Sequence, residues 1–342
     1  MTSRPAANPR SWANTPERSN MLMLRIMTWI SLRLGRRTGR VVLHLIASYF
    51  LLFAPASRRA SRDYLLLALG RPAKANDLYH HFFTFAATIH DRIYLINRRF
   101  DLFDFEVHGE ETLRSLLVDG KGLFLMGAHL GSFEVIRSIG RQNPDLRVAM
   151  VMHQENAQKI NAMLAAINPE AVQNIIGLGH VDSMIEVSQR LDEGYIVGIL
   201  ADRTPGHDTL YPVRILGVDT YLPTGPFRMA ALLRRPVIFM TALYMGDNRY
   251  AIHFDKLADF SNTARGQREL VMQESIVKYA ALLDHYCRAA PYNWFNFFDF
   301  WQTTPVAMSG KKLTAAADPD PTLAPNTTST IATTITTTIT SS

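Results

Sequence analysis

Two apolar runs lie near the amino terminus, separated by a stretch rich in arginine and glycine. The runs are residues 21–34 and 41–54, and Pro55 closes the second. Each is fourteen residues long, and a helix of that length covers about 21 Å, less than the roughly 30 Å hydrocarbon core of a bilayer. We therefore predict membrane-associated helices over 21–57, lying at the interface or re-entering it. A helix pair buried in the protein core is the alternative.

Farther along the chain, residues 58–118 have the apolar spacing of helices, and from residue 122 onward short apolar runs alternate with amphipathic stretches. The runs that predict strands are 122–128, 146–152, 172–178, 195–201, 236–244 and 249–257. The stretches that predict helices are 132–141, 155–166, 182–193, 225–235 and 266–288. This alternation predicts an α/β fold with a central mixed, mostly parallel sheet flanked by helices.

Composition separates both ends from this α/β pattern. Residues 1–20 are rich in Pro, Asn, Ser and Arg, and residues 313–342 hold eleven threonines with almost no charge. Such segments cannot bury enough apolar surface to fold. We predict a disordered basic arm at 1–20, apolar helices at 21–57, an α/β domain at 58–305 and a disordered Thr-rich tail at 306–342.

Charge is concentrated in the first part of the chain. Residues 1–40 contain eight arginines and one acid and carry +7, so the rest of the chain, with an overall charge of +6, sums to −1. A nearly neutral body argues against nucleic-acid binding, whereas a basic arm beside apolar helices favours an anionic membrane surface. The single cysteine, Cys287, excludes an internal disulfide and a zinc–cysteine cluster.

Candidate chemistry lies where the first apolar run of the α/β pattern ends. His129 follows the run directly, and Gly131, Ser132 and Glu134 follow His129 at the start of a helical stretch. Side chains at the carboxyl end of such a strand project into the crevice where α/β sheets bind ligands. Ser132 can cap the helix, and Glu134 would lie in its first turn within reach of the imidazole. A histidine and an acid at this spacing also occur often by chance.

This pair suits proton transfer from an alcohol. A neutral imidazole can take the proton of a hydroxyl as it attacks a carbonyl, and a carboxylate on the other ring nitrogen fixes the tautomer. The following helix amino terminus could stabilise a developing oxyanion. No serine or cysteine nucleophile is needed, because the acceptor itself attacks. A lipase or thioesterase is disfavoured because the chain lacks a G-x-S-x-G elbow.

Four segments resemble a known family. The H-x4-E sequence from His129 to Glu134 resembles the motif of the lysophospholipid acyltransferase superfamily, in particular its lipid A biosynthesis (late) acyltransferase branch. The other segments are Ala201–Arg203, 216–230 and Pro291–Trp301, and the resemblance covers about residues 41–302. The chain departs from that branch at Arg203, where Gln or His is usual, and in lacking the Glu-Gln pair of the closing motif. These departures resemble the acyltransferases of aryl-polyene pathways.

The resemblance implies a membrane-associated O-acyltransferase over 58–305, with His129 as general base and Glu134 as the residue that orients it. The residues that it implies for substrate binding are Gly131, Ser132, Asp202, Arg203, Thr224 and Arg228. The donor would be a thioester on the phosphopantetheine of an acyl carrier protein or of CoA. Because the thioester is itself a substrate, we expect no cofactor and no metal.

The implied acceptor is a hydroxyl of a membrane lipid or glycolipid. The expected location is the cytoplasmic face of the bacterial inner membrane, with the chain bound peripherally or by a single amino-terminal anchor. Two alternatives stay open: a non-catalytic membrane scaffold of the same fold, and an acyltransferase of an aryl-polyene-type lipid pathway instead of lipid A.

Overall fold

The computed structural model describes residues 21–135, 146–168, 175–179, 181–203 and 208–301. The predicted arm at 1–20 and tail at 306–342 lie outside these ranges, and the predicted domain boundaries stay predictions. The helices are α1 Met21–Phe53, α2 Pro55–Leu69, α3 Ala75–Ile96, α4 Glu110–Ser115, α5 Gln154–Ile167, α6 Val181–Asp192, α7 Gly225–Leu233 and α8 Arg268–Ala289. The strands are β1 Asp104–His108, β2 Phe124–Gly127, β3 Val148–His153, β4 Ile175–Leu178, β5 Ile196–Leu200, β6 Leu210–Ile215, β7 Val218–Pro223, β8 Pro236–Tyr244 and β9 Arg249–Asp259.

Seven of these strands form one sheet in the order β1-β9-β8-β2-β5-β3-β4. Neighbouring strands run parallel throughout, except for the antiparallel pair β8–β9. β6 and β7 form a separate antiparallel hairpin. The predicted α/β fold with a mixed, mostly parallel sheet flanked by helices is therefore confirmed.

The central strand β2 is covered on both faces. Phe124 and Met126 pack into one apolar cluster, whereas Leu123 and Leu125 pack into a second. Alternate side chains of a strand point to opposite faces, so both layers of the core meet at β2. A strand buried in this way is a continuous apolar run, which is why the sequence pattern predicts it.

Strands β1, β6 and β7 depart from the predicted pattern. β1 lies inside 58–118, which we predicted to be helical, and the β6–β7 hairpin lies in a stretch for which we predicted no strand. β1 is an edge strand with no buried residue, and most of β6 and β7 is exposed or half-buried. The hairpin contributes only Ile215 and Leu222 as buried apolar strand residues of the core, and β1 contributes none. These sequences therefore lack the continuous apolar run that marks the central strands.

Helix α1 is interrupted at Gly35, where φ is 83° and the backbone is not helical, so it consists of two helical segments, as the two apolar runs predicted. It differs from the prediction in that the arginines after Gly35 lie within the second segment. Arg36 forms a two-pronged ion pair with the buried Asp91 of α3, at 2.8 and 3.0 Å, and Tyr250 of β9 donates to the same carboxylate at 2.9 Å. Burial of this polar segment is possible because the positive charge meets a buried carboxylate.

Helix α1 has one buried and one exposed apolar side. The inner face of α1 buries Leu43 and Ala47, whereas Val41 and Leu45 on its outer side are 64% and 70% exposed. No single helix among the described residues is long and apolar enough to span a membrane. By length and composition, the bent pair of residues 26–53 and 55–69, which meet at 95°, passes that test together.

Candidate active site

The register of two parallel strands brings His129 and Asp202 together. β2 and β5 are neighbours, and Gly127 at the end of β2 pairs with Leu200 at the end of β5. His129 and Asp202 each stand two residues beyond these paired positions. His129 Nδ1 lies 2.8 Å from Asp202 Oδ1. The pair therefore sits at the carboxyl edge of the sheet, where α/β folds bind their ligands.

Asp202 is held by three N–H groups. Its Oδ1 faces His129 Nδ1, and its Oδ2 accepts from the His129 backbone N–H at 3.1 Å and from Trp294 Nε1 at 3.2 Å. Burial by itself raises the pKa of this carboxyl, but His129, Arg203 and the hydrogen bonds outweigh burial and hold the pKa well below its ordinary value. Asp202 is thus an ionised, fixed acceptor.

His129 is neutral near pH 7. Burial of the ring and the positive charge of Arg203 lower its pKa below 6.5, against the opposing effect of Asp202. Since a carboxylate can only accept, the proton of the neutral ring is on Nδ1. Nε2 then carries a lone pair, and the His129 side chain is 30% exposed. A neutral imidazole whose second nitrogen carries a lone pair is the form required of a general base.

The loop from 129 to 132 is fixed through its backbone. The Gly131 N–H donates to Asn293 O and the Ser132 N–H to Ala242 O, both at 2.8 Å, while His129 O accepts from Phe295 N–H at 2.8 Å. Gly131 has a φ of +72°, and a Cβ there would lie 2.0 Å from Ala242 O. Glycine is required because β8 passes so close. The N–H groups of 131 and 132 are used inside the protein and do not point to an oxyanion site.

The structure places a second carboxylate beside His129. We predicted that Glu134 orients the ring, and that role stays a prediction; the carboxylate hydrogen-bonded to Nδ1 is Asp202. Glu134 is buried, and its Oε2 lies 3.9 Å from Nε of Arg92 on α3. The register of β2 and β5 explains the Asp202 contact, because it places Asp202 beside the ring from a neighbouring strand.

Comparison with known families bears on this geometry. The model of the bacterial lipid A biosynthesis acyltransferase family matches residues 14–303. The chain belongs to this family. The resemblance that the motifs predicted is confirmed, and the chain is an acyltransferase of lipid biosynthesis whose family acts on lipid acceptors and is associated with membranes. A comparison with curated proteins finds no match.

In this lipid A-type acyltransferase, Arg203 supplies the positive charge beside the His129–Asp202 pair. Its Nη1 lies 3.4 Å from Oδ1 of the buried Asn296, and its guanidinium lies 5.2 Å from the ring centre of Phe298. Burial lowers the pKa of Arg203, and Asp202 opposes that effect. Arginine remains cationic in proteins, so Arg203 is a fixed positive charge beside the pair.

Thr224 and Arg228 of the acyltransferase begin helix α7. Thr224 is buried, its N–H donates to Thr209 O at 2.9 Å and its carbonyl accepts from the Arg228 N–H at 2.8 Å. Arg228 is exposed. The described contacts do not join either residue to His129. Thr224 therefore starts the helix, and only Arg228 presents a side chain to solvent.

Two residues of the site were not predicted from the sequence. Trp294, which is fully buried, donates to Asp202, and its carbonyl accepts from Nε2 of His81 at 2.9 Å. Only the aromatic closing segment pointed to Trp294, and the sequence around His81 offers no signal.

Proposed function

We propose that this acyltransferase moves a fatty acyl group from a thioester to a hydroxyl of a lipid or glycolipid, with His129 as general base and Asp202 as the residue that orients it. The observation that carries the proposal is the 2.8 Å contact between His129 Nδ1 and Asp202 Oδ1 at the carboxyl edge of the sheet. This contact leaves Nε2 as the basic nitrogen.

The proposed reaction balances without a further reagent. His129 Nε2 takes the proton of the acceptor hydroxyl as its oxygen attacks the thioester carbonyl. The tetrahedral intermediate collapses, the carbon–sulfur bond breaks, and the imidazolium returns the proton to the thiolate. Asp202 stabilises the imidazolium between these steps. We propose that no cofactor takes part, because the donor arrives as an activated thioester.

Arg203 is the proposed stabiliser of the oxyanion. The backbone N–H groups of Gly131 and Ser132 already donate to Asn293 O and Ala242 O. Arg203 keeps its charge next to the His129–Asp202 pair, where a fixed positive charge can stabilise developing negative charge. This role replaces the helix amino terminus that we considered from the sequence.

An acyl carrier protein is the proposed donor, with CoA as the other source of the same thioester. Arg228 and Leu232 are both exposed and lie one turn apart on α7. A positive charge beside an exposed apolar side chain fits an acidic carrier that delivers a phosphopantetheine arm. Competition between acyl carrier protein and CoA thioesters, with Arg228→Glu as the test variant, separates the donors, since only carrier-dependent turnover should fall.

The test of the proposed function uses His129→Ala with His285→Ala as a control, because His285 is an exposed histidine far along the chain on α8. We expect thioester consumption in the presence of lipid extract to be lost in His129→Ala and kept in His285→Ala. Mass spectrometry of cellular lipids should show accumulation of a hydroxyl lipid lighter by one acyl chain. Full turnover in folded His129→Ala would refute the proposal, and thioester consumption without an acylated lipid would indicate a thioesterase.

We propose that the outer side of α1 contacts the cytoplasmic face of the bacterial inner membrane. Exposed apolar side chains recur at helical spacing on this side, at Val41, Leu45, Tyr49 and Leu52. The arginines of the predicted basic arm precede them in the chain. An apolar stripe next to basic residues is typical of helices that lie in the interface of anionic bilayers.

Vesicle sedimentation tests this membrane contact. We expect the protein to pellet with phosphatidylglycerol vesicles more than with phosphatidylcholine vesicles. Leu45→Glu should weaken binding because it places a charge in the apolar stripe. Val118→Glu is the matched control, since Val118 is also exposed but lies after α4. Equal binding by wild type and Leu45→Glu would show that α1 does not face the membrane in this way.

A further inference from the structure

We propose that Trp294 is a positioning residue of the proposed catalytic site: its indole N–H holds one oxygen of Asp202 so that the other oxygen faces the His129 ring. The inference rests on the proposed function and adds a residue to it. Trp294 does not contact the reacting atoms and acts through Asp202.

The proposal rests on the different hydrogen-bond partners of the two Asp202 oxygens. Oδ2 accepts two N–H groups, from Trp294 Nε1 at 3.2 Å and from the His129 backbone at 3.1 Å. Oδ1 faces only His129 Nδ1 at 2.8 Å among the described contacts. A carboxylate can rotate about its terminal bond, and the two donors on Oδ2 oppose that rotation. Trp294 supplies the only one of these donors that comes from a side chain outside the pair.

Trp294 is also held through its backbone. The Trp294 carbonyl accepts from His81 Nε2 at 2.9 Å, and the Ser61 hydroxyl lies 2.7 Å from His81 Nδ1. Burial lowers the pKa of His81 to about 4, so the ring is neutral near pH 7. A neutral ring has one donor and one acceptor nitrogen, and the carbonyl requires Nε2 to be the donor. Ser61, His81 and Trp294 thus form a fixed chain that reaches from α2 to Asp202.

The indole N–H also bears on the basicity of His129. A donor on a carboxylate withdraws part of its negative charge and stabilises the ionised form. Without that donor, the Asp202 carboxylate keeps more of its negative charge and stabilises the His129 imidazolium more strongly. The pKa of His129 should therefore rise. A purely structural role of Trp294 would lower the amount of folded enzyme but would leave this pKa unchanged. The pH dependence of kcat/KM therefore separates positioning from packing.

Three variants make the test. Trp294→Phe removes the N–H and part of the ring, and replacement of Trp294 by benzothienylalanine removes only the N–H, because sulfur takes its place in a ring of nearly equal size. Trp301→Phe is the matched control. Its ring packs 6.0 Å from that of Trp294, and among the described residues its indole N–H has no hydrogen-bond partner.

We expect the acidic limb of the kcat/KM profile to move up by about half a pH unit in both Trp294 variants and kcat to fall roughly tenfold from looser positioning. Trp301→Phe should keep the wild-type profile. An unchanged limb in the benzothienylalanine protein would overturn the proposal, as would the same shift in Trp301→Phe. His129→Ala, assayed in parallel, separates the two levels of inference. If it is inactive while the Trp294 profiles are unchanged, only the role of Trp294 is refuted; if it is fully active, both proposals fall.

Discussion

Replacement of Asp202 by asparagine should stop the reaction through the tautomer of His129. The amide of Asn can place its NH2 group at the position of Oδ2 or of Oδ1. At the Oδ2 position it would face the N–H groups of His129 and Trp294, so two hydrogen bonds to a carboxylate, each contributing about 1.5–3 kcal/mol, would be lost. At the Oδ1 position it faces only His129 Nδ1.

The orientation with the NH2 group at the Oδ1 position should therefore prevail, and its effect on kcat can be estimated. An NH2 group facing Nδ1 makes Nδ1 an acceptor and moves the ring proton to Nε2, the nitrogen that must accept the proton of the alcohol. Loss of kcat when a catalytic histidine is held in the wrong tautomer is roughly 10⁴-fold. The loss corresponds to about 5.4 kcal/mol of transition-state stabilisation. We expect a decrease of this size in Asp202→Asn, with the far-UV circular dichroism of the wild type.

The assay measures initial rates with an acyl thioester and a lipid acceptor between pH 5 and 9. Glu134→Gln is the matched control, because it makes the same chemical change in the carboxylate that the sequence singled out. It should leave the acidic limb of kcat/KM in place, since Glu134 faces Arg92. Asp202→Asn within tenfold of wild-type kcat would refute the reasoning. A shift of the acidic limb in Glu134→Gln alone would return the role of ring partner to Glu134.

Three further predictions concern Gly131, the ion pair of Asp91 and the buried His81. Gly131→Ala should lower kcat at least tenfold without unfolding the protein by circular dichroism, because its Cβ would displace the loop from Ala242 O, 2.0 Å away. Asp91→Ala should lower the free energy of unfolding in urea by about 3–5 kcal/mol, since it leaves the charge of Arg36 buried; a loss below 1 kcal/mol would contradict this. His81 has its folded pKa lowered to about 4 from 6.5, so its stabilising contribution is complete above pH 6.5 and declines as the pH falls towards 4. Urea unfolding at pH 5 should show roughly 2 kcal/mol less stability from this group than at pH 7, and His81→Gln should reduce that difference.

Much of the central sheet could be predicted because its strands are buried on both faces. Runs such as 122–128 and 195–201 are continuously apolar for that reason, and the polar residues that follow them mark the carboxyl edge. β1 and the β6–β7 hairpin gave no such pattern. They were missed because β1 buries no residue and the hairpin buries isolated positions instead of a continuous run.

The partner of His129 could not be chosen from spacing. Glu134 is five positions away in the sequence, whereas Asp202 is 73 positions away. Asp202 reaches the ring only because β5 lies next to β2, and the strand order is not sequential. The resemblance implied that Asp202 lines the same crevice from a neighbouring strand end, but as a substrate-binding residue, because the sequence does not give the register of the two strands. The chain through His81 and Trp294 depends on still longer separations, between α3 and the segment after α8.

The central claim is that His129 meets the acceptor as a neutral imidazole, protonated on Nδ1 and held there by Asp202. Nitrogen-15 NMR of histidine-labelled protein, with His129 assigned by the signal missing from His129→Ala, measures both the tautomer and the pKa. The account predicts a protonated Nδ1 and a bare Nε2 at pH 7, with a pKa below 6.5. A ring protonated on Nε2, or one still doubly protonated at pH 7, would contradict it.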